Sequence, residues 1–351
     1  MVLILAFIFS FLSTTIFTFI SISLIKRLGL LDDPNRHKHP GVIHSKPIPR
    51  GGGIPLFIGI LLTGIFFLPL TKIVIALFVA SLIALVVGII DDKYDISPYP
   101  RFIANIIASG IVVGSGISIP FITNPFGGII YLNSIKIPLA FFEYHSVVVL
   151  SDILAMLWIV WVMNMLNWSK GVDGQMPGIV AISAVIIGIL SLRFSPLDQT
   201  STTTATLSFV IAGASLGFLI FNFYPAKIFP GYGATAIYLL LSAASILSGA
   251  KLATAILVMG VPMTDGIFTI IRRLLSGRSP FWHDKKHLHH LLLSLGMSQR
   301  RIALFYWSIS AILGALALIL SSRGKVFAII MLGVLVSGAL LFLHRVLKKY
   351  V

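Results

Sequence analysis

The sequence predicts an all-α fold: a polytopic bundle of about eleven transmembrane helices forming one integral membrane domain over residues 1–351. Three observations lead there. Hydrophobic residues make up 57% of the chain and charged residues 11%, with a mean hydropathy of +1.02, so its own polar surface could not cover it in water. The apolar residues gather in runs of the length that crosses a bilayer, roughly 17 to 25 residues. Nearly all the chemically capable side chains gather in the loops between those runs.

In chain order the runs cover 2–25, 54–70, 73–90, 102–121, 147–163, 177–192, 205–221, 234–247, 252–271, 302–320 and 326–343. The sixth and eighth are short for a crossing. No basic residue precedes the first run and no small-residue cleavage pattern follows it, which predicts a retained first helix and not a removed signal peptide. Cytoplasmic loops retain positive charge. With the N-terminus outside and the C-terminus cytoplasmic, inner loops and the C-terminal tail hold twenty of the 26 Lys and Arg, Arg36, Lys38, Lys170 and Lys349 among them; six, Lys251 included, fall outside. That split selects this orientation and an odd number of spans.

The absence of Cys excludes disulfides and thiolate-bound metals. The net charge of +15 follows from the positive-inside rule and attraction to anionic lipid, so no nucleic-acid partner is expected. No internal repeat or water-soluble domain is visible. The longer inner loops cover 26–53, 91–101, 164–176, 222–233 and 272–301, and they hold or adjoin eight of the eleven carboxylates. An active site on the cytoplasmic face of the plasma membrane is the expectation.

The first inner loop ends in PRGGG, residues 49–53. Arg50 and the N–H groups of the following glycines suit capture of a phosphate at a helix start, although a basic loop beside a membrane also suits lipid headgroups. Asp91 and Asp92 close the third run. Paired carboxylates at a helix C-terminus oppose the helix dipole and are costly near hydrocarbon, which favours metal coordination or proton abstraction over a polar helix end. In FWHDKKHLHH, residues 281–290, His283, His287 and His290 would share one helical face, with His289 off it. The spacing admits zinc, but Arg272, Arg273, Lys285 and Lys286 favour phosphate or nucleotide binding.

Six segments in order carry a family resemblance: RHKHPGVIHSKPIPRGGG, GIIDDKYDISPYPR, NMLNWSKGVDG, FPGYGAT, VPMTDGIFTIIRR and SPFWHDKKHLHHLLLSLG. Over nearly its whole length the chain resembles the polyprenyl-phosphate N-acetylhexosamine-1-phosphate transferases, relatives of the phospho-N-acetylmuramoyl-pentapeptide transferases. The resemblance implies that a polyprenyl phosphate attacks the sugar-side phosphate of a UDP-sugar at the cytoplasmic face, releasing UMP in an early membrane step of cell-envelope glycan synthesis. It implies catalytic roles for Asp91, Asp92 and Asp173, substrate binding by Asn167, His287, His289 and His290, and a Mg2+ cofactor on Asp91, Asp92 and Asp173. Two positions depart from the pattern. Lys170 and Tyr232 stand where the family writes Asp, and Tyr232 replaces a magnesium ligand, so the metal site is expected to be altered and Lys170 to take part in catalysis. Three readings stay open: a transferase with an altered cation site, an inactive relative that binds polyprenyl phosphate or nucleotide-sugar, and a transporter, against which the absence of repeats argues. The resemblance leaves homodimerisation open.

Overall fold

The computed structural model describes residues 1–34, 43–124, 127–138, 146–193, 198–249, 252–282 and 284–348. Arg36, Lys38, Lys251 and Lys349 of the charge tally, and the candidate ligand His283, lie outside the described residues. Thirteen helices are present among those described: α1 Val2–Arg27, α2 Gly53–Phe67, α3 Lys72–Tyr94, α4 Pro98–Gly114, α5 Val149–Trp168, α6 Gln175–Ser191, α7 Gln199–Asn222, α8 Thr235–Leu247, α9 Leu252–Val258, α10 Gly260–Leu275, α11 Leu288–Ser294, α12 Gln299–Ile319 and α13 Ser322–Lys348. The described strands are short and form three two-stranded antiparallel pairs. The protein is a polytopic helical membrane protein.

Each predicted run falls on one helix or on the α9–α10 pair, but the runs are not equivalent. Among the described residues six helices are long and apolar enough to cross a membrane alone, and α9 with α10 adds a seventh if the bent pair counts as one span. The helices α2, α6 and α8 have only 15, 17 and 13 residues, rising about 20 to 26 Å against a hydrocarbon core of about 30 Å. α8 is buried along nearly all its length and touches α3, α5, α7 and α2, so protein surrounds it and it need not match the bilayer thickness. The run at 252–271, expected as one continuous span, is bent by 84° at its break. Gly260 and Pro262 lie in the first turn of α10, where a missing N–H costs nothing. The bend aims the polar C-terminal half of α10 at the site described below. The run at 102–121 is likewise shorter as a helix, since α4 ends at Gly114 and Phe121 begins a strand.

Packing follows membrane rules. The buried positions of α1 are Ala6, Ser10, Thr14, Thr18, Ser21 and Ile25, a small and polar stripe at helical spacing, while Leu5, Phe9, Leu12 and Ile16 are exposed. Apolar side chains face lipid, and small ones face protein, because only close backbone approach yields contact that lipid does not already offer. The partner is α7. A Cβ on Gly213 would lie 2.3 Å from the Phe7 carbonyl oxygen, and one on Gly217 would lie 2.4 Å from that of Phe11. The Ser10 hydroxyl donates to the Val210 carbonyl at 2.7 Å.

A second close approach sets the site. The segment 228–235 is wedged between the start of α2 and the last turns of α3. Cβ atoms on Gly53 and Gly88 would fall 2.2 Å from the Gly233 carbonyl carbon and 2.3 Å from its Cα. A Gly88→Ala methyl meets backbone and cannot be absorbed by a rotamer change. It should destabilise the protein by about 1–3 kcal/mol, read as a lowered melting temperature in detergent, whereas Gly338→Ala, with nothing within 4 Å of its Cβ position, should be neutral or slightly stabilising.

Candidate active site

The five loops predicted to share one membrane face supply residues to a single cavity of about 460 Å³. Asp32, His44 and Arg50 come from the first, Asp95 and Arg101 from the second, and Asn164, Asn167, Lys170 and Asp173 from the third. The fourth adds Asn222, Phe229, Gly231 and Tyr232, and the last adds Arg273, Phe281, Trp282, Asp284, His287, His289 and His290. Of the expected site residues, Asp91, Asp92 and Arg272 are not among the lining.

Asp91 and Asp92 sit in the final turn of α3, both buried, directly behind the cavity wall. Arg101 Nη1 donates to both Asp91 oxygens at 3.0 Å, and Arg50 Nη2 reaches Asp91 Oδ2 at 3.5 Å. Arg50 Nε donates to Asp92 Oδ1 at 2.9 Å. The remaining capacity of Asp92 goes to the 228–235 segment, with Tyr232 N–H at 2.7 Å on Oδ1 and Gly233 N–H at 3.4 Å on Oδ2. Two guanidiniums therefore offset the unfavourable dipole at the helix end. Burial weakens the Arg50 cation, yet the facing Asp92 and Asp91 outweigh that and hold its pKa above the usual arginine value.

The glycines after Arg50 do not form the expected anion nest. Gly52 and Gly53 N–H donate to the Phe229 and Pro230 carbonyls at 2.9 Å each. Their donors bind the 228–235 segment because the two stretches run side by side, with Phe229 N–H bonded to the Pro49 carbonyl at 2.8 Å. Arg50 remains in the cavity lining.

Lys170 projects from the turn after α5 and donates through Nζ to the Gly231 carbonyl at 2.8 Å. Burial, then the positive charge of Arg50, push its pKa down to about 8 against the pull of Asp92 and Asp91. Tyr232 lies beside it. The ring centre is 5.0 Å from the Arg101 guanidinium and 5.9 Å from Lys170 Nζ, so two cations share one π-face environment. The phenol accepts from Asn105 Nδ2 at 3.1 Å, and burial pushes its pKa up to about 12.

The turn that carries Lys170 is pinned on every side. A Cβ on Gly171 would lie 1.9 Å from His289 Nε2. Asp173 N–H donates to Gln299 Oε1 at 3.1 Å, and its Oδ2 accepts from Ala226 N–H at 2.9 Å. Burial raises the Asp173 pKa, opposed by the Ala226 N–H and His44. Gly174, at φ +77°, donates to Asn222 Oδ1 at 3.1 Å. Asn167 Oδ1 is buried with no hydrogen-bond partner among the described residues.

The histidines do not share a helical face. His287 is the extended N-cap residue of α11, its ring stacked at 5.6 Å on that of His289, which lies 4.3 Å from His290. His287 Nδ1 meets Asp265 Oδ2 at 2.8 Å, and Asp265 Oδ1 takes the Leu288 N–H at 3.1 Å. Asp265 thus both caps α11 and orients the ring, leaving Nε2 of His287 as its other polar atom. Burial and the neighbouring histidines hold His289 far below the usual histidine pKa. Burial, then His287 and Lys285, bring His290 to about 4. Both are neutral near pH 7, so they offer hydrogen bonds and not charge. Arg272 and Arg273 converge on Asp284 at 3.0–3.1 Å, and these contacts overcome its burial to hold the Asp284 carboxyl at about 2.

Among the described residues no three His, Asp or Glu side chains stand close enough to hold a metal ion. The oxygens of Asp91 and Asp92 are engaged by arginines and backbone N–H groups, and Asp173 bonds to a different backbone segment. This arrangement does not fit a magnesium site on Asp91, Asp92 and Asp173. Sequence reasoning missed Arg101 and Asp265, although each lies inside a quoted motif; nothing in a motif tells which charges pair.

The protein is thus a helical membrane protein whose loops enclose one cavity, and its arginine, lysine and histidine donors are of the kind that suit phosphate. The chain belongs to glycosyl transferase family 4, whose family model matches residues 74–249. It is 32% identical to the Bacillus subtilis protein named probable undecaprenyl-phosphate N-acetylglucosaminyl 1-phosphate transferase, over 91% of this chain and 85% of that one. Similarity at 32% identity extends to the Mycobacterium tuberculosis decaprenyl-phosphate N-acetylglucosaminephosphotransferase, over 90% and 82% of the two chains. The Escherichia coli undecaprenyl-phosphate alpha-N-acetylglucosaminyl 1-phosphate transferase is 29% identical, over 88% and 81%.

The buried pairing of Asp92 with Arg50 predicts a cost for its removal. Asp92→Asn should lower stability by about 3 kcal/mol or more, since it leaves a largely buried guanidinium short of its closest anion. Denaturation of the purified protein checks this, with Asp95→Asn, at an exposed position, as the neutral control.

Proposed function

We propose that this protein is a phosphoglycosyl transferase that moves a sugar-1-phosphate, of the N-acetylhexosamine class, from a UDP-sugar to polyprenyl phosphate at the cytoplasmic face of the plasma membrane, releasing UMP. The observation that carries the reading is the convergence of all five polar loops on one cavity, at one end of a membrane bundle, in a chain similar over most of its length to enzymes named for this transfer. The cavity volume lies in the range that encloses small-molecule ligands. Its position suits one reactant that arrives from water and another whose tail stays in lipid.

In this reaction an oxygen of the lipid phosphate forms a bond to the sugar-side phosphorus, and the bond from that phosphorus to the bridging oxygen breaks. UMP departs with the electron pair. A phosphate monoester has its second pKa near 6, so at neutral pH the lipid phosphate attacks as a dianion. Two dianions enter and two leave, and no net proton is exchanged. The protein must mainly bring anions together, which requires positive charge.

Purified protein in nanodiscs with undecaprenyl phosphate should release UMP from UDP-N-acetylglucosamine or another UDP-N-acetylhexosamine. Binding of nucleotide-sugar with no UMP from any of a UDP-sugar panel would replace the transferase reading with that of an inactive binding relative. The orientation is checked separately. Lys285→Cys should react with an impermeant thiol reagent only after cells are permeabilised and Ser134→Cys in intact cells; the natural chain has no Cys to interfere.

A further inference from the structure

We propose that the positive charge for the reacting phosphates is carried by the protein itself, with the Lys170 ammonium binding the diphosphate of the nucleotide-sugar where a divalent cation would otherwise sit, and with Asp91 and Asp92 serving as counterions that position it. The inference rests on the transferase reading above and assigns its cation.

The charges around the cavity are almost all spoken for. Arg50 is paired with Asp92 and Asp91, Arg101 with Asp91, and Arg273 with Asp284, all within 3.5 Å. Lys170 differs. Its Nζ donates to a neutral carbonyl, and among the described residues no carboxylate lies within ion-pair distance of it. A largely enclosed ammonium is costly when its nearest anions, Asp92 and Asp91, stand beyond contact and are engaged by arginines, and an arriving anion recovers that cost. One of its three N–H donors is used on Gly231, which leaves two for phosphate oxygens.

The same neighbourhood lacks what a divalent cation needs. Magnesium takes one or two carboxylates with open lone pairs, but those of Asp91 and Asp92 face arginines and the N–H groups of Tyr232 and Gly233. Beside them stands the ring of Tyr232, flanked by Lys170 and Arg101.

The carboxylates position Lys170 through a short relay. Asp92 holds the N–H groups of Tyr232 and Gly233, which fixes the peptide whose carbonyl, Gly231, receives Lys170 Nζ. Gly231 stands at φ +67°, and a Cβ there would lie 2.1 Å from Asp92 Oδ2, so this turn is seated against the carboxylate. Asp92 is a positioning residue in this scheme, and Lys170 is the group that touches substrate. Because the transfer exchanges no net proton, neither aspartate has to act as a base.

The test uses the full chain in nanodiscs and has three readouts: UMP release from UDP-N-acetylglucosamine and undecaprenyl phosphate with and without EDTA, Mn2+ binding by electron paramagnetic resonance, and UDP binding in EDTA. The wild type should keep its rate within about twofold in EDTA and bind no stoichiometric Mn2+. Lys170→Ala should lose roughly tenfold or more in both turnover and UDP affinity, a factor that corresponds to about 1.4 kcal/mol, and Lys170→Arg should recover part of each. Lys170→Asp with Tyr232→Asp should gain Mn2+ binding. Wild-type activity that EDTA abolishes and magnesium restores overturns the inference, as does a Lys170→Ala protein with unchanged UDP affinity. If no UDP-sugar yields UMP, the transferase reading fails alone, and Mn2+ and UDP binding still decide the role of Lys170. If Lys170→Ala does not fold, the EDTA and Mn2+ measurements on the wild type, together with Lys170→Arg, decide it.

Discussion

Two carboxylates buried at the end of a membrane helix are the constraint around which this protein is arranged. Asp91 and Asp92 face both the negative end of α3 and a poorly hydrated interior, where a carboxylate needs cationic partners. Arg50, from the linker into α2, and Arg101, from the first turn of α4, supply them. One electrostatic knot therefore joins α2, α3 and α4. The spare capacity of Asp92 adds the 228–235 segment, which the glycines at 53 and 88 allow to approach at backbone distance.

From that knot the geometry spreads across the cavity. The segment it holds presents the Gly231 carbonyl, which receives Lys170, and the turn of Lys170 is seated in its turn against His289 and the start of α12. The adjoining histidine wall uses different chemistry. His289 and His290 are neutral through burial, His287 is oriented by Asp265, and Arg272 and Arg273 are consumed in holding Asp284. Charge is thus concentrated on the Arg50, Arg101 and Lys170 side, while the histidine side offers directed hydrogen bonds. A ligand with a diphosphate at one end and hydrogen-bonding groups at the other matches that division.

Much of this was legible in the sequence, and the remainder failed for identifiable reasons. The membrane class and the helix positions follow from apolar runs, because bilayer thickness acts on each run separately. The gathering of loops was legible because their charges are asymmetric along the chain. What stayed hidden depends on pairs. PRGGG reads as an anion nest until Gly52 and Gly53 are seen to bond the Phe229 and Pro230 carbonyls, and the spacing of His287 and His290 suits a helical face until α11 is seen to begin one residue after His287. The short helices α6 and α8 look like crossings by composition, and only their burial among other helices explains their length. Arg101 and Asp265 lay inside motifs, yet a residue's partner is a property of the fold.

A site made in this way joins stability to function through one unbalanced charge. The arginines at the cavity are neutralised within the protein, so they shape the wall at little electrostatic cost and hold few donors in reserve. Lys170 is the exception. Its burial lowers its affinity for its own proton, so the empty site carries strain of an electrostatic kind. A phosphate-bearing ligand relieves that strain on entry, and any ligand that binds the folded state alone stabilises it by mass action. Three features act together here: the knot at Asp91 and Asp92 sets where the lysine points, the Tyr232 ring and Gly231 carbonyl hold it without neutralising it, and, among the described residues, the lack of a carboxylate in contact with it keeps its charge available to the substrate. Adding a counterion beside Lys170 would make the empty protein more comfortable and the site less able to attract phosphate. On this reading the substrate supplies the contact anion that the folded protein does not place on Lys170.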